Sequence, residues 1–276
     1  MPELVVRNLT PKDALKAFAK RLDRPAPEFS WLDLWQHEHS TAFTVAKTAG
    51  HDVLGDIGSS IEDAIASGET YESWSKKLIP ILQDKGWWGT GPAYDPASGK
   101  WVESRLGSVR RLDIIYDTNL RQSYAAGRWL QIERNKADIP YLMYKHNFSR
   151  HPRAEHEAWD GICLPVDDPW WLSHYPPNAW KCHCSVIPVS DAMFARLEKS
   201  GRIKMEAPDL GAVDFTNKRT GEVTRVPKGI DPGFGYNPGV ALLRALGGDI
   251  GFAERIIRRQ RARLSLMRGS LRCPGA

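Results

Sequence analysis

The stretch that most constrains the fold is long and free of proline: "VESRLGSVRRLDIIYDTNLRQSYAAGRWLQIERNK", from Val102 to Lys136. Its apolar positions Leu112, Ile115, Leu120, Tyr124 and Trp129 recur at three- to five-residue intervals, the spacing that gathers side chains on one face of an α-helix. Pro140 bounds it downstream, because proline lacks a backbone N–H and disfavours helix in the residue before it. The spacing predicts one long helix, shared by what lies on either side of it.

What precedes it also reads as helical. "TPKDALKAFAKRL" opens with Thr10 as cap and Pro11 at the first helical position. "SWLDLWQHEHSTAFTVAKTAGHDVLGDI" carries Leu34, Trp35, Phe43, Val45 and Leu54, a pattern for one or two amphipathic helices. A short helix ends near Gly68, and another is capped by Thr70, interrupted near Pro80 and closed by Gly86. "TGPAYDPASGK" is rich in Gly and Pro and reads as a loop. The texture changes after Ala137. "IPYLMYKHN" and "SVIPVS" predict short strands, and "AVDFTNKRTGEVTRVP" predicts a hairpin. "DAMFARLEKSG" predicts a helix capped by Ser190 and stopped at Gly201, and a final helix begins at "VALLRALGG". The expected class is α+β: a helical region over 1–137, a small α+β domain with short antiparallel strands over 138–240, and a basic C-terminal helix or tail over 241–276.

Charge is distributed unevenly. The total is +5, but Gly251 to Ala276 holds seven arginines against the single acid Glu254, a local +6, which leaves −1 for everything before it. Arg255, Arg258, Arg259, Arg261 and Arg263 crowd that tail. Such a tail suits a phosphate backbone or an acidic protein surface, and equally a solvated helix face. No apolar run approaches the roughly 18–20 residues that span a bilayer. The first residues, "MPELVVRNLTPKDALKAFAKR", lack the apolar core of a secretory signal. A cytosolic setting is expected, where paired cysteines serve metals or catalysis more often than disulfides.

The segment from His146 to Cys184, "HNFSRHPRAEHEAWDGICLPVDDPWWLSHYPPNAWKCHC", holds five of the eight histidines and three of the four cysteines. Cys182 and Cys184 stand one residue apart, and His156 lies upstream. Two thiolates at this spacing can share one ion only if the chain turns between them, since a straight strand sends alternate side chains to opposite faces. A metal such as zinc, in a structural role, would pin a segment with little regular structure of its own. The other reading makes these cysteines small buried hydrophobes. Metal-assisted hydrolysis using Asp160, Asp167 or Asp168 would need an open coordination position and an activated water, which the spacing does not demand. A Cys–His nucleophile is disfavoured, because adjacency in sequence does not set a base against a thiol. No phosphate-cradling glycine loop is present, and His37 and His39 read as surface residues.

Taken together, "SWLDLWQHEHSTAFTVAK", "LIPILQDKGWWG", "IYDTNLRQSYAAGRW", "RHPRAEHEAWDGICLPVDDPWW", "PPNAWKCHC" and "GIDPGFGYNPG" give a pattern that resembles the bacteriophage Mu F-like minor head protein family, the phage head morphogenesis proteins. In that family the cysteine motif usually ends Cys-Arg-Cys; here His183 takes the middle position. Related head proteins carry an upstream Cys-x-x-Cys where this chain has Arg153-Ala154-Glu155-His156, with His156 at the second cysteine. The resemblance implies His156, Cys182 and Cys184 as ligands of a structural zinc ion, with a fourth from His151, Cys163, His174 or His183. It implies a non-enzymatic protein of the virion, made in the host cytoplasm. The expected partners are the portal and other head proteins, with phage DNA second, and neither a membrane nor a small-molecule substrate. A zinc-dependent hydrolase or nuclease, and a stand-alone DNA-binding protein led by the tail arginines, are the rival readings.

Overall fold

The computed structural model of the chain describes residues 11–48, 51–147, 149 and 151–247. Thr10 and the tail arginines Arg255, Arg258, Arg259, Arg261 and Arg263 lie outside the described residues. The architecture is α+β, as expected: helices dominate the first half, and short antiparallel strands with a further helix make up the second.

Three helices lead in: α1 (Lys12–Leu22), α2 (His51–Ser67) and α3 (Tyr71–Asp84). The Thr70 hydroxyl accepts the Ser73 N–H and starts α3, and left-handed Gly68 and Gly86 end α2 and α3. Pro80 sits inside α3 without breaking it. Pro80 and Lys76, whose carbonyl loses its partner, are both exposed, so water can replace the missing bond. The segment predicted to be helical around Trp35 and Phe43 is instead a short 3-10 turn (Gln36–Ser40) between stretches of turns and bends. Its apolar residues serve two different cores. Phe43 and Val45 pack among the N-terminal helices, while Trp35 stacks on Phe215 from the far end of the chain. A single helical face could not reach both.

The Gly/Pro-rich stretch predicted as a loop is a hairpin, β1 (Thr90–Asp95) and β2 (Lys100–Arg105), in register from Thr90↔Arg105 to Asp95↔Lys100. The Asp95 carboxylate accepts the Ala97 N–H and the Ser98 hydroxyl, and Gly99 adopts the left-handed backbone that closes the turn. The residues from Val102 to Arg105, read as helix, thus belong to a strand. The long helix α4 (Val109–Asn135) starts only after Ser108, whose hydroxyl accepts the Arg111 N–H.

Beyond α4, strand β3 (Tyr141–Lys145) lies between β4 (Cys163–Pro165) and β5 (Ser185–Val189), antiparallel to both. Short helices α5 (Ala154–Ala158) and α6 (Trp171–His174) occupy the segment between β3 and β5. Helix α7 (Asp191–Lys199) is capped by Ser190 and leads to left-handed Gly201. The hairpin of β6 (Ala212–Thr216) and β7 (Val223–Pro227) follows. Its turn residue Arg219 pairs with Asp33 and Asp95, tying the hairpin back to the N-terminal half. Helix α8 (Pro238–Ala245) is capped by Asn237, which accepts the N–H groups of Gly239 and Val240.

Helix α4 is common to both cores. Leu112 packs with Phe18, Leu54, Ile61 and Trp74 in the N-terminal core. Trp129 and Ile132 pack with Leu142, Tyr144, Trp159 and Trp171 in the C-terminal one. The adjacent Trp170 and Trp171 are both buried in this second core. Two glycines let helix backbones approach closely. A Cβ on Gly127 would meet the backbone of Ala14 at 2.7 Å, and one on Gly239 would lie 2.1 Å from the Cβ of Trp129.

Replacing Gly127 or Gly239 by Ala forces α1 or α8 off α4. Each change is expected to cost about 1–3 kcal/mol in chemical denaturation. Gly55, in α2 with nothing within 4 Å of where a Cβ would stand, is the contrast: Gly55→Ala should stabilise by about 0.5–1 kcal/mol. Equal effects at all three positions would refute this account of the packing.

Candidate metal centre

Three side chains converge where the sequence concentrates histidine and cysteine. The ligand atoms of His156, Cys182 and Cys184 all lie within 4.8 Å of one another. His156 Nδ1 stands 3.7 Å from Cys182 Sγ and 3.6 Å from Cys184 Sγ. For a tetrahedral zinc ion with bonds of about 2.0–2.3 Å, the edges between ligand atoms come to about 3.5–3.8 Å. The nitrogen-to-sulfur separations therefore match a zinc site before any rearrangement.

Each side chain is held in place by a separate local cause. His156 sits on the short helix α5, buried, with its ring stacked on Trp159 at 4.9 Å between centroids. Its Nε2–H donates to the Gly229 carbonyl at 2.8 Å. This leaves the Nδ1 lone pair facing the two sulfurs, the arrangement by which a backbone carbonyl fixes the tautomer of a ligating histidine. Gly229 can come so close because it is glycine: it has φ +86°, and a Cβ there would lie 2.7 Å from Glu155 and 2.9 Å from Trp159.

The thiols are brought round by Lys181, a non-glycine residue in the left-handed region at φ 55°. Its ammonium donates to Asp113 Oδ1 on α4 at 2.7 Å. After this turn Cys182 is buried and Cys184 partly so, and both sulfurs face His156. The two sulfurs share a proton unequally. The Cys184 thiol hydrogen-bonds to Cys182 and pulls its pKa well below the ordinary thiol range, while the Cys182 thiolate holds Cys184 protonated.

The remaining candidates fall elsewhere. Cys163 is buried in β4 opposite Met143, and burial raises its thiol to about 11, as suits a hydrophobic filler. His174 stacks on Trp170 at 4.6 Å, with Nδ1 2.9 Å from the Ser173 hydroxyl, and burial lowers its imidazole to about 4. His151 and His183 are exposed. Among the described residues, none of these four joins the converging group. Arg153 does a different job: it donates to the Trp180 carbonyl at 3.0 Å and pairs with Asp231 at 3.4 Å, and Asp231 accepts the Trp180 N–H. These contacts fasten the start of α5 to the segment that leads into the cysteines.

The three acids considered for hydrolysis are committed to other contacts. Asp160 accepts Lys145 and the His146 N–H, Asp167 pairs with Lys136, and Asp168 accepts the Trp170 N–H as a turn residue. His39 is not the surface residue that its spacing predicts. Burial lowers its imidazole to about 4, because the 3-10 turn carries it inward. Gly229 as the orienting partner of His156 had no signal beyond a glycine in a breaker-rich stretch. Among the described residues, no helix is long and apolar enough to cross a membrane.

The full chain should bind cobalt with the absorption of a thiolate-ligated ion. Changing Cys182 and Cys184 together to Ser should abolish that band and lower the melting temperature, whereas Cys163→Ala leaves the band intact. Gly229→Ala should weaken cobalt binding by about 10- to 100-fold, the usual effect of disturbing the group that orients a ligand. An unchanged band in the double-serine variant would exclude these ligands.

Comparison with known proteins supplies the context. Residues 55–187 match the model of the family described as phage Mu protein F like protein. The chain is 35% identical to the putative capsid assembly protein F of Escherichia phage Mu over 268 residues, 93% of this chain and 60% of the relative. It is 34% identical to the Mu-like prophage FluMu F protein of Haemophilus influenzae over 243 residues, 83% of this chain and 56% of the relative. The chain thus spans less than two thirds of the length of these relatives. No solved structure matches it. The matched span covers His156, Cys182 and Cys184 together with all of α4, and the chain belongs to the phage Mu protein F like family.

Proposed function

We propose that the chain acts in phage head morphogenesis by holding other head proteins, at the portal vertex, and not by turning over a substrate. The observation that carries this reading is similarity along 93% of the chain to a protein named for capsid assembly. The placement of the acids supports it: Asp160, Asp167 and Asp168 are engaged in ion pairs or turns away from the thiols. A zinc hydrolase needs a base beside the metal's open position.

In this reading His156, Cys182 and Cys184 hold a zinc ion that fastens α5 to the segment before β5. The ion would supply cross-linking energy to a stretch whose regular elements are only three to five residues long. The chain's own residues do the positioning: Gly229 fixes the histidine tautomer, Lys181 turns the thiols inward, and the Arg153–Asp231 pair holds the backbone between them. The arginine tail is assigned to DNA near the portal, where each phosphate contact makes binding fall with salt. The protein is expected in the host cytoplasm during assembly and in the finished head.

Purified heads should contain the chain, and its deletion should block head formation. Zinc analysis of those heads should follow its copy number. Truncation before Gly251 should remove salt-sensitive DNA binding and leave incorporation into heads intact. Heads that assemble and fill normally without the chain would end the assignment, as would turnover of nucleic acid lost with Asp160→Ala.

A further inference from the structure

A cavity of about 560 Å³ lies between α4, the 3-10 turn and the stretch from Gly233 to Tyr236. Five cations line it: Arg21, Lys47, Arg105, Arg110 and Arg111. No carboxylate lines it among the described residues, and none of the five belongs to an ion pair there. Arg111 is engaged internally, donating to the carbonyls of Arg105, Leu106 and Ala46 and lying over the Trp87 ring. Arg105 and Arg110 are exposed and form the rim.

Arg21 is the exceptional member. It is 8% exposed, and only its Nη2 finds a partner, Asn119 Oδ1 at 2.7 Å. Its Nε and Nη1 have no hydrogen-bond partner and are closed to solvent as the side chain stands, so a ligand reaches them once the guanidinium swings toward the cavity. Three more side chains on the same wall carry orphaned buried atoms: the Thr44 and Thr118 hydroxyls and Gln122 Oε1. The faces of Phe18 and Phe43, 5.5 and 5.9 Å from the guanidinium, offset part of the cost of burying the charge but accept none of its N–H groups directly. Burial holds its pKa down to about 10, so it is a cation at neutral pH. A buried, unpaired charge of this kind is destabilising unless something pairs with it.

Shape narrows what that partner is. A nucleic-acid duplex is too wide to bring a phosphate to a guanidinium at the cavity floor. A bare inorganic anion would leave the apolar walls of Ile114, Ile115, Trp180 and Phe234 uncovered. An oxyanion at the end of an apolar chain satisfies both. We infer that this cavity binds the C-terminal carboxylate of a peptide ending in an apolar residue, with the carboxylate on Arg21 and the side chain against Trp180 and Phe234. The rim cations draw the acid in. The reading of the chain as a head-assembly protein enters only in naming the source of the peptide, another protein of the head.

The test uses the full chain and twenty hexapeptides differing in the C-terminal residue, each as free acid and as amide, with anisotropy as readout. Free acids ending in Leu, Ile, Phe or Trp should bind, and their amides should be weaker by about 10- to 100-fold, the worth of a charge-assisted hydrogen bond. Binding should weaken with salt and with Lys47→Gln. Changing Arg21 to Met and Asn119 to Leu together removes both hydrogen-bond partners. That variant should lose the preference for acids while melting no lower than the parent chain, which a purely structural Arg21 would not allow. Should it fail to fold, Ala46→Trp adds bulk at the partly exposed wall, leaves Arg21 in place, and is expected to abolish binding.

Equal binding of acids and amides, no binding by any member at 1 mM, or tighter binding of 5′-phosphorylated hexathymidine than of any peptide overturns the proposal. No peptide binding by a chain that still enters heads sinks the cavity alone. Peptide binding by a chain that never enters heads sinks the assembly role alone.

Discussion

Close backbone approach along α4 sets the position of nearly everything else. Gly127 on this helix admits α1, and Gly239 on α8 admits Trp129, so three helices meet at distances that ordinary side chains would prevent. The first half of α4 is buried among the N-terminal helices, and the last turns are buried under the three-stranded sheet. A rigid rod common to two apolar clusters transmits position from one to the other, since interiors packed to crystal-like density deform little. Arg219, reaching from the β6–β7 turn to Asp33 and Asp95, adds a polar tie across the same divide.

The converging thiols and histidine take their place from this frame. Lys181, whose turn aims Cys182 and Cys184, is anchored to Asp113 on α4. His156 is set by Trp159 in the C-terminal core and by Gly229 from the chain after β7. Contributions thus come from three separated parts of the chain, each oriented by a contact outside the cluster. That is the condition under which a ligand set is organised before an ion arrives. The Arg153–Asp231 pair adds a polar fastener beside them, since Asp231 also accepts the Trp180 N–H.

The cavity around Arg21 has α4 as a wall. The cysteine pair opens onto its own cavity, of about 530 Å³, lined by Asp117, Arg121 and Arg128 as well as by apolar groups. One helix therefore serves two concave surfaces of different character, one of mixed charge beside sulfur and one purely cationic.

Local chemistry made much of this legible in the residues themselves. The Thr70 and Ser190 caps, the stops at Gly68, Gly86 and Gly201, the strands β3 and β5 and the β6–β7 hairpin follow from short-range rules of capping, turn formation and alternation. The crowding of histidine and cysteine marked the segment from His146 to Cys184, and the family resemblance pointed within it to His156, Cys182 and Cys184. Tertiary structure decided the rest. The hairpin at 90–105 exists because two strands of breaker-rich sequence pair with each other, which no local pattern encodes. The segment around Trp35 lost its helix because its apolar residues are claimed by two cores. The cationic cavity was invisible because Arg21, Lys47 and Arg110 are far apart in sequence and ordinary one by one. Burial and convergence depend on contacts between residues distant along the chain, and the sequence states which residues can make such contacts without stating which of them do.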